Sequence, residues 1–372
     1  MAKQVVTPWK VSGKMDYDRL IKEFGVSKLD DKTLTVLKKK TGELHHLLRR
    51  KIFFAHRDLE FALKEHGKKN LFLYTGCGPS GPIHMGHLMV WQFTKWLQDK
   101  LGIELWFQFT DDEKFVLKKD KSFEDIQKYT YENMLDVIAL GFDPKKTHFL
   151  VDTKHANLIY PEAIKVAKKI TYSTAKSVFG FTNDTNIGLI FFTAMQAVPS
   201  FLPGILKNKK MACLIPHAID QDPHFRVSRD VIPKLGYPKP ASIQCVFLPS
   251  LEGVTEKGKL SSSEGIAIYT IDDENTVKKK INKYAFSGGR DTLEEHKKKG
   301  GNPDVDMAYQ WLVFFEEDDR KLKMIYKDYK SGKLLSGELK QILIDKLNKL
   351  LKEHQKNREK AKKQLDKFIY KG

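Results

Sequence analysis

Residues 76 to 87, "GCGPSGPIHMGH", constrain this chain more than any other stretch, because two different sites can be spelled from them. Gly76, Gly78 and Gly81 give GxGxxG, while His84, Gly86 and His87 give His-x-Gly-His. The flanks define the surroundings. "LFLYTG" (71 to 76) is a short apolar run closed by glycine and "IELWFQFT" (103 to 110) is a second, and both read as buried strands. Between them Met85, Met89, Phe93 and Trp96 recur at three- and four-residue spacing, the mark of a helix with one buried stripe, and Pro82 stands just before its start. Strand, loop, helix and strand make a βαβ unit, whose crossover is right-handed in nearly all cases. "THFLVD" and "SIQCVFLP" extend the parallel sheet, which makes the fold class α/β. Ligands are then expected at the strands' carboxyl ends, where the glycine loop and the turn "TDDEK" (110 to 114) both fall.

At 372 residues the chain exceeds the size at which a single core stops growing, and its character changes along its length. Residues 1–68 are lysine-rich. Within them "VTPWKVSG" suggests a short hairpin, and "DYDRLIKEF" and "RDLEFALKEH" suggest amphipathic helices, together an appendage ahead of the main domain. From residue 274 charged helical segments take over, the plainest being "GELKQILIDKLNKLLKEH", whose Leu343, Leu347, Leu350 and Leu351 form one apolar stripe. The expected organisation is an N-terminal appendage (1–68), a Rossmann-like parallel-sheet domain (69–273) and an all-helical domain (274–372) whose last helix can pack back on the sheet domain.

The formal charge of +18, from 65 basic and 47 acidic residues, points to a polyanionic partner, nucleic acid first. The runs "LKKKTG", "VKKKIN" and "HKKKGG" spread that charge along the chain, and a lysine-rich solvated surface is the bland alternative. No RNP sequence, zinc finger or Arg-rich tail sharpens the choice. With 41% hydrophobic and 30% charged residues, no run of about 18 apolar residues and no apolar core in "MAKQVVTPWK", neither a membrane span nor a secretion signal is expected. Cys77, Cys213 and Cys245 are far apart and odd in number, which fits neither a disulfide framework nor a zinc cluster and leads to a cytoplasmic expectation.

A dinucleotide fingerprint needs its glycines in the turn that enters the helix, free N–H groups for the pyrophosphate, and an acidic residue about 20 positions on. Here Pro79 removes an N–H, Pro82 puts the helix start after the third glycine, and Asp111 to Glu113 lie about 30 positions beyond the loop. The histidine reading has better physics. His84 and His87 project from one face of a helix N-terminus, where phosphate is already favoured, and Gly86 leaves bare backbone for an adenine ring. Zinc ligation lacks a third ligand and the HExxH pattern. Satisfied structural histidines would be the reading if the motif stood alone.

It does not stand alone, because "KGKLSSSEG" follows about 170 residues later, just before the helical region. "HMGH" followed by "KLSSS" resembles the His-Ile-Gly-His and Lys-Met-Ser-Lys-Ser signatures of class I aminoacyl-tRNA synthetases, in order and separation. Between them "YTGCGPSG", "TDDEK", "AMQAVPSF", "AIDQDPHFRVSRDV" and "GYPKPA" resemble the eukaryotic-type tryptophanyl-tRNA synthetases, over most of the chain from "VTPW" to "SGELKQILI". Two positions depart from the signature: Leu260 replaces its methionine and Ser262 its second lysine, while Lys259 is kept. Cys77 stands where relatives commonly carry a basic residue.

The resemblance implies ligation of L-tryptophan to its tRNA through tryptophanyl-adenylate, with ATP and Mg²⁺ as cofactors, a homodimer and a helical anticodon-binding domain. It implies His84, His87 and Lys259 as the catalytic charges. Gly76, Gly78, Pro79, Ser80, Gly86, Leu260, Ser261, Ser262 and Ser263 join those three as ATP contacts, with no metal bound by the protein itself. Tyr74 and Gln108 would hold the indole nitrogen, Glu113, Gln196 and Gln221 the amino acid's polar end, and Asp291 and Lys340 the anticodon. The substrate brings its own nucleophile, which is why no Ser-His-Asp set is needed. Tyrosyl-tRNA synthetase is the rival within the class, but "IDQDPHF" stands where an Asp-Gln-Arg-Lys type helix is usual. An NAD(P)-dependent oxidoreductase leaves "KLSSS" unexplained, and a basic RNA-binding protein with a decayed site leaves the retained pocket set unexplained.

Overall fold

The computed structural model describes residues 5–9, 11, 12, 16–253 and 266–372. Among these, β1 (Val5–Val6) and β2 (Val11–Ser12) form an antiparallel hairpin, as "VTPWKVSG" predicts. The main sheet has seven strands: β3 (Ser27–Lys28), β4 (Phe53–Arg57), β5 (Leu71–Cys77), β6 (Leu105–Phe109), β7 (Thr147–Val151), β8 (Ala212–Ala218) and β9 (Ala241–Cys245), in the order β3-β4-β9-β8-β5-β6-β7. β9, β8, β5, β6 and β7 run parallel, while β3 and β4 close one side antiparallel. From β5 the chain goes out through β6 and β7 and returns on the other side through β8. That reversal puts a topological switch point between the carboxyl ends of β5 and β8.

Two of these strands escape the sequence pattern. β8, "ACLIPHA", contains Pro216, and a proline argues against a central strand because it cannot donate to the ladder. The strand survives because Pro216 still pairs in register with Ile243 and its carbonyl accepts from Thr75 Oγ1 at 3.2 Å. β4 lies within residues 1–68, expected to be an appendage, yet it pairs with β9, and Leu47, Leu48 and Phe53 are buried in the main core. The segment before residue 69 is therefore partly built into the sheet domain.

Alternation along the strands divides the core in two. Leu73, Phe107 and Phe149 face one side, under the helices Met85–Leu101 and Phe123–Ala139. Phe72, Trp106 and Leu150 face the other, under Ala156–Ala167, Tyr172–Phe179, Ile187–Met195 and Asp222–Val231. In the Met85–Leu101 helix Met85, Met89 and Phe93 are buried and Trp96 half-buried, so the predicted stripe is the packed face. Phe93 stacks on Phe53 of β4 at 3.7 Å, and burying a side chain of that size contributes about 1.5–3 kcal/mol.

Beyond residue 273 the described chain is helical, ending in a 26-residue helix, Ser336–Ala361, roughly 39 Å long. Leu343, Leu347 and Leu351 are buried along it. Its far end docks on the helix Phe123–Ala139, where His354 Nε2 lies 2.8 Å and Arg358 Nε 3.0 Å from Asp136 Oδ1. The tail then runs along the edge of β7, Phe149 N donating to Phe368 O at 2.7 Å and Tyr370 N to Phe149 O at 3.1 Å.

Candidate active site

His84 is the N-cap of the helix Met85–Leu101, its Nδ1 accepting from Gly86 N at 3.1 Å. The His84 and His87 rings stack with centroids 3.9 Å apart, so the sequence-predicted pair does share one side of the helix start. Lys259, Leu260, Ser261, Ser262 and Ser263 lie outside the described residues, but both flanks of their loop reach this turn. Downstream, Met85 N donates to Ile268 O at 3.0 Å and Thr270 N to Ile83 O at 2.8 Å. Upstream, a Cβ on Gly86 would stand 3.8 Å from Leu248 Cβ. The described chain on both sides of the second signature therefore lies beside the first.

The glycines of the loop serve separate ends. A Cβ at Gly76 would lie 2.6 Å from the Gln108 carbonyl oxygen, so this glycine lets β5 and β6 close at their carboxyl ends. A Cβ at Gly78 would lie 1.7 Å from Lys114 Cε, whereas Gly81 faces open space. None of the three has a positive φ. Pro79 is buried, and Ser80 N donates to Gly78 O at 2.9 Å. Lys114 thus drapes over the loop expected to meet phosphate, a cation that motif reading passed over although it ends "TDDEK". Cys77 adds no charge, because burial raises its thiol well above the usual range.

The pocket residues come from several strand ends. β5 and β6 pair Tyr74 with Trp106, so Gln108 sits diagonally across from Tyr74 on the same face. Tyr74 Oη donates to Gln108 Oε1 at 2.5 Å, and Gln196 Nε2 reaches both Tyr74 Oη at 2.5 Å and Gln108 Oε1 at 3.1 Å. Gln196, expected at the amino acid's polar end, stands here with the indole-end pair. Glu113 is buried, its Oε1 accepting from Trp9 Nε1 at 2.8 Å and from Lys114 Nζ at 2.7 Å, and its Oε2 from Thr110 Oγ1 at 2.7 Å. Burial pushes its carboxyl up, but Lys114, Thr110 and Trp9 outweigh that and hold it below the usual value. Gln221 lies past the end of β8, its Nε2 donating to its neighbour Asp220 at 3.2 Å.

Trp9, on the hairpin, is the unforeseen member. Its ring stacks on Phe181 at 5.4 Å and meets the His224 ring edge-on at 5.3 Å, so the N-terminal segment covers the Glu113 side of the site. Burial drives His224 down to about 3, which leaves a neutral imidazole there at ordinary pH. In the helical region Gly289 abuts Ser336, bringing the loop before Asp291 against the first turn of the helix that carries Lys340. Asp291 is exposed, while Lys340 is half-buried with Nζ 3.3 Å from Asn282 O.

The family model for class I tRNA synthetases of tryptophan and tyrosine matches residues 66–352. The chain belongs to that family. A tryptophan–tRNA ligase of Pyrobaculum calidifontis is 50% identical over 365 residues, covering 98% of this chain and 97% of that protein. The solved tryptophanyl-tRNA synthetase of Plasmodium falciparum aligns with a TM-score of 0.89 at 40% identity, over 96% of this chain and 98% of that one. That of Aeropyrum pernix gives 0.86 at 29% identity, over 96% and 97%.

Proposed function

We infer that this chain joins L-tryptophan to its tRNA in two steps: the tryptophan carboxylate and ATP form tryptophanyl-adenylate and pyrophosphate, and the tRNA's terminal ribose hydroxyl then takes the tryptophanyl group from AMP. The observation that carries this reading is the meeting of the stacked His84 and His87 with the chain on the downstream side of "KLSSS", beyond the ends of β5 and β6, the strands that carry the hydrogen-bonded Tyr74 and Gln108. The curated relatives at about half identity over nearly the full length are tryptophan ligases, which favours tryptophan over tyrosine within the family.

In the first step a carboxylate oxygen bonds the α-phosphorus as the bridging P–O bond to pyrophosphate breaks. No side chain has to be activated, so the enzyme's part is positioning and charge. His84 and His87 steady the phosphates at the helix N-terminus, Lys114 adds a cation over Gly78, and Lys259 meets the departing pyrophosphate. Around the loop stand imidazole, backbone and the Lys114 ammonium, the last already paired with the Glu113 carboxylate. Such a donor set fits an Mg²⁺ carried on the nucleotide's own phosphates, where it would spread their charge.

Tyr74 and Gln108 hold the indole nitrogen, and Glu113, Gln196 and Gln221 frame the rest of the amino acid. Asp291 and Lys340 are assigned to the anticodon. A homodimer is supported by exposed Tyr160, Ile164, Tyr172 and Ile187 on neighbouring helices, and a cytoplasmic setting by the three free cysteines. No helix among the described residues is long and apolar enough to cross a membrane. The test is pyrophosphate exchange into ATP run separately with each of the twenty amino acids. Exchange is expected with tryptophan and not with tyrosine or phenylalanine; equal exchange with tyrosine would overturn the assignment.

A further inference from the structure

A glutamine amide has nearly the same shape either way round, so only its partners decide which end faces a ligand. Gln108 is fully buried, and behind it, just past the end of β7, stands Asp152, also buried. Gln108 Nε2 lies 2.8 Å from Asp152 Oδ1 and 2.9 Å from Oδ2. Turning the amide over would set its oxygen against those oxygens at the same distances. On the opposite side Tyr74 Oη and Gln196 Nε2 both donate to Gln108 Oε1. An indole N–H can only donate, so it needs this oxygen and is repelled by the amide nitrogen.

We propose that Asp152 is a positioning residue for tryptophan recognition: it fixes the amide of Gln108 so that Oε1, and not Nε2, faces the indole N–H. This rests on the reading that Tyr74 and Gln108 hold the indole nitrogen. Burial first, and then the neighbouring Asp112, raise the Asp152 carboxyl well above the usual range, and its proton is directed to Asp112. Gln108 therefore meets acceptors on that side in either protonation state. Gln196 fills the second lone pair of Gln108 Oε1 until the indole replaces it.

The experiment compares kcat/KM in pyrophosphate exchange for L-tryptophan and for β-(3-benzothienyl)-L-alanine, which has sulfur in place of the ring N–H. Asp152→Ser is too short to reach Gln108 and lets it turn over. The preference for tryptophan is expected to fall about tenfold, through KM for tryptophan, with KM for ATP unchanged. In a Gln108→Ala background the same substitution should leave the ratio unchanged. If Gln108→Ala alone does not alter the ratio, the pocket reading fails. If Gln108→Ala alters it while Asp152→Ser leaves it unchanged or lowers both substrates equally, Asp152 is merely structural and the proposal is overturned. Should Asp152→Ser not fold, Asp152→Ala carries the same two outcomes.

Discussion

At Gly78 an added methyl group would fall on the flexible end of Lys114, so that lysine lies directly over the loop. The geometry gives Lys114 a job that can be measured. Lys114→Met keeps most of the stem and removes the charge, so adenylate formation at saturating tryptophan should slow about 10²-fold, as when one donor to a developing charge is lost, and KM for tryptophan should rise as well because Glu113 loses the same ammonium. A single-turnover rate within threefold of the parent would remove Lys114 from the phosphate site. His224 makes a prediction of the opposite kind, about stability. Its folded value of about 3 lies below the ordinary 6.5, so the unfolded chain binds the proton more tightly. The stability it contributes is complete above 6.5 and lost as pH falls toward 3, about 2 kcal/mol of it between 6.5 and 5. His224→Phe, which suits the surrounding Trp9, Phe179 and Phe192 rings, should flatten the fall in unfolding free energy over that interval by about this amount. An unchanged pH slope in urea titrations would show that His224 does not titrate as its burial implies.

The hairpin β1–β2 is a small element with a large reach, because it sets Trp9 on Glu113 and against Phe181. Trp9→Ala uncovers that side of the pocket and takes a donor from the Glu113 carboxylate. The expected result is a KM for tryptophan raised about tenfold with KM for ATP little changed, a cost of the size of one charge-assisted hydrogen bond. Equal change in both constants would mean the hairpin only steadies the fold. Elements such as the hairpin, β5, β6, β7, β9 and the signature helix were legible because each carries its own pattern: an apolar run, an alternation or a three-and-four stripe. β8 was not, since Pro216 breaks the strand pattern and only its neighbours restore it. Trp9 and Asp152 were illegible for a related reason. A lone tryptophan near the terminus and a lone aspartate after a strand show no spacing, and their meaning comes only from what the fold sets against them. His84 and His87 were readable because helix geometry fixes two residues three apart.

The molecule is tied together by the helix Ser336–Ala361, which packs in the helical region at one end and inserts His354 and Arg358 against buried Asp136 at the other. Removing the carboxylate with Asp136→Ala takes a partner from both His354 and Arg358, and because Arg358 keeps Glu132 at 2.6 Å the cost in chemical denaturation should be about 1.5–3 kcal/mol. A loss within experimental error would show that the two regions are held by apolar packing alone. The opposite face of the sheet domain raises the question of assembly. Ile187 is 84% exposed at the start of its helix, with Tyr160, Tyr172 and Ile164 exposed nearby. Ile187 itself, with Ala167, Ile170, Tyr172 and Phe191, lines an apolar hollow of about 200 Å³. In the proposed homodimer this patch would pair with its own copy about a two-fold axis, since isologous pairing is the commonest way a chain covers an exposed apolar patch. Ile187→Glu should then shift the proposed dimer to monomer in sedimentation equilibrium without changing its helical circular dichroism. A parent that sediments as a monomer at micromolar concentration, or an Ile187→Glu variant that remains a dimer, would rule this face out as the interface.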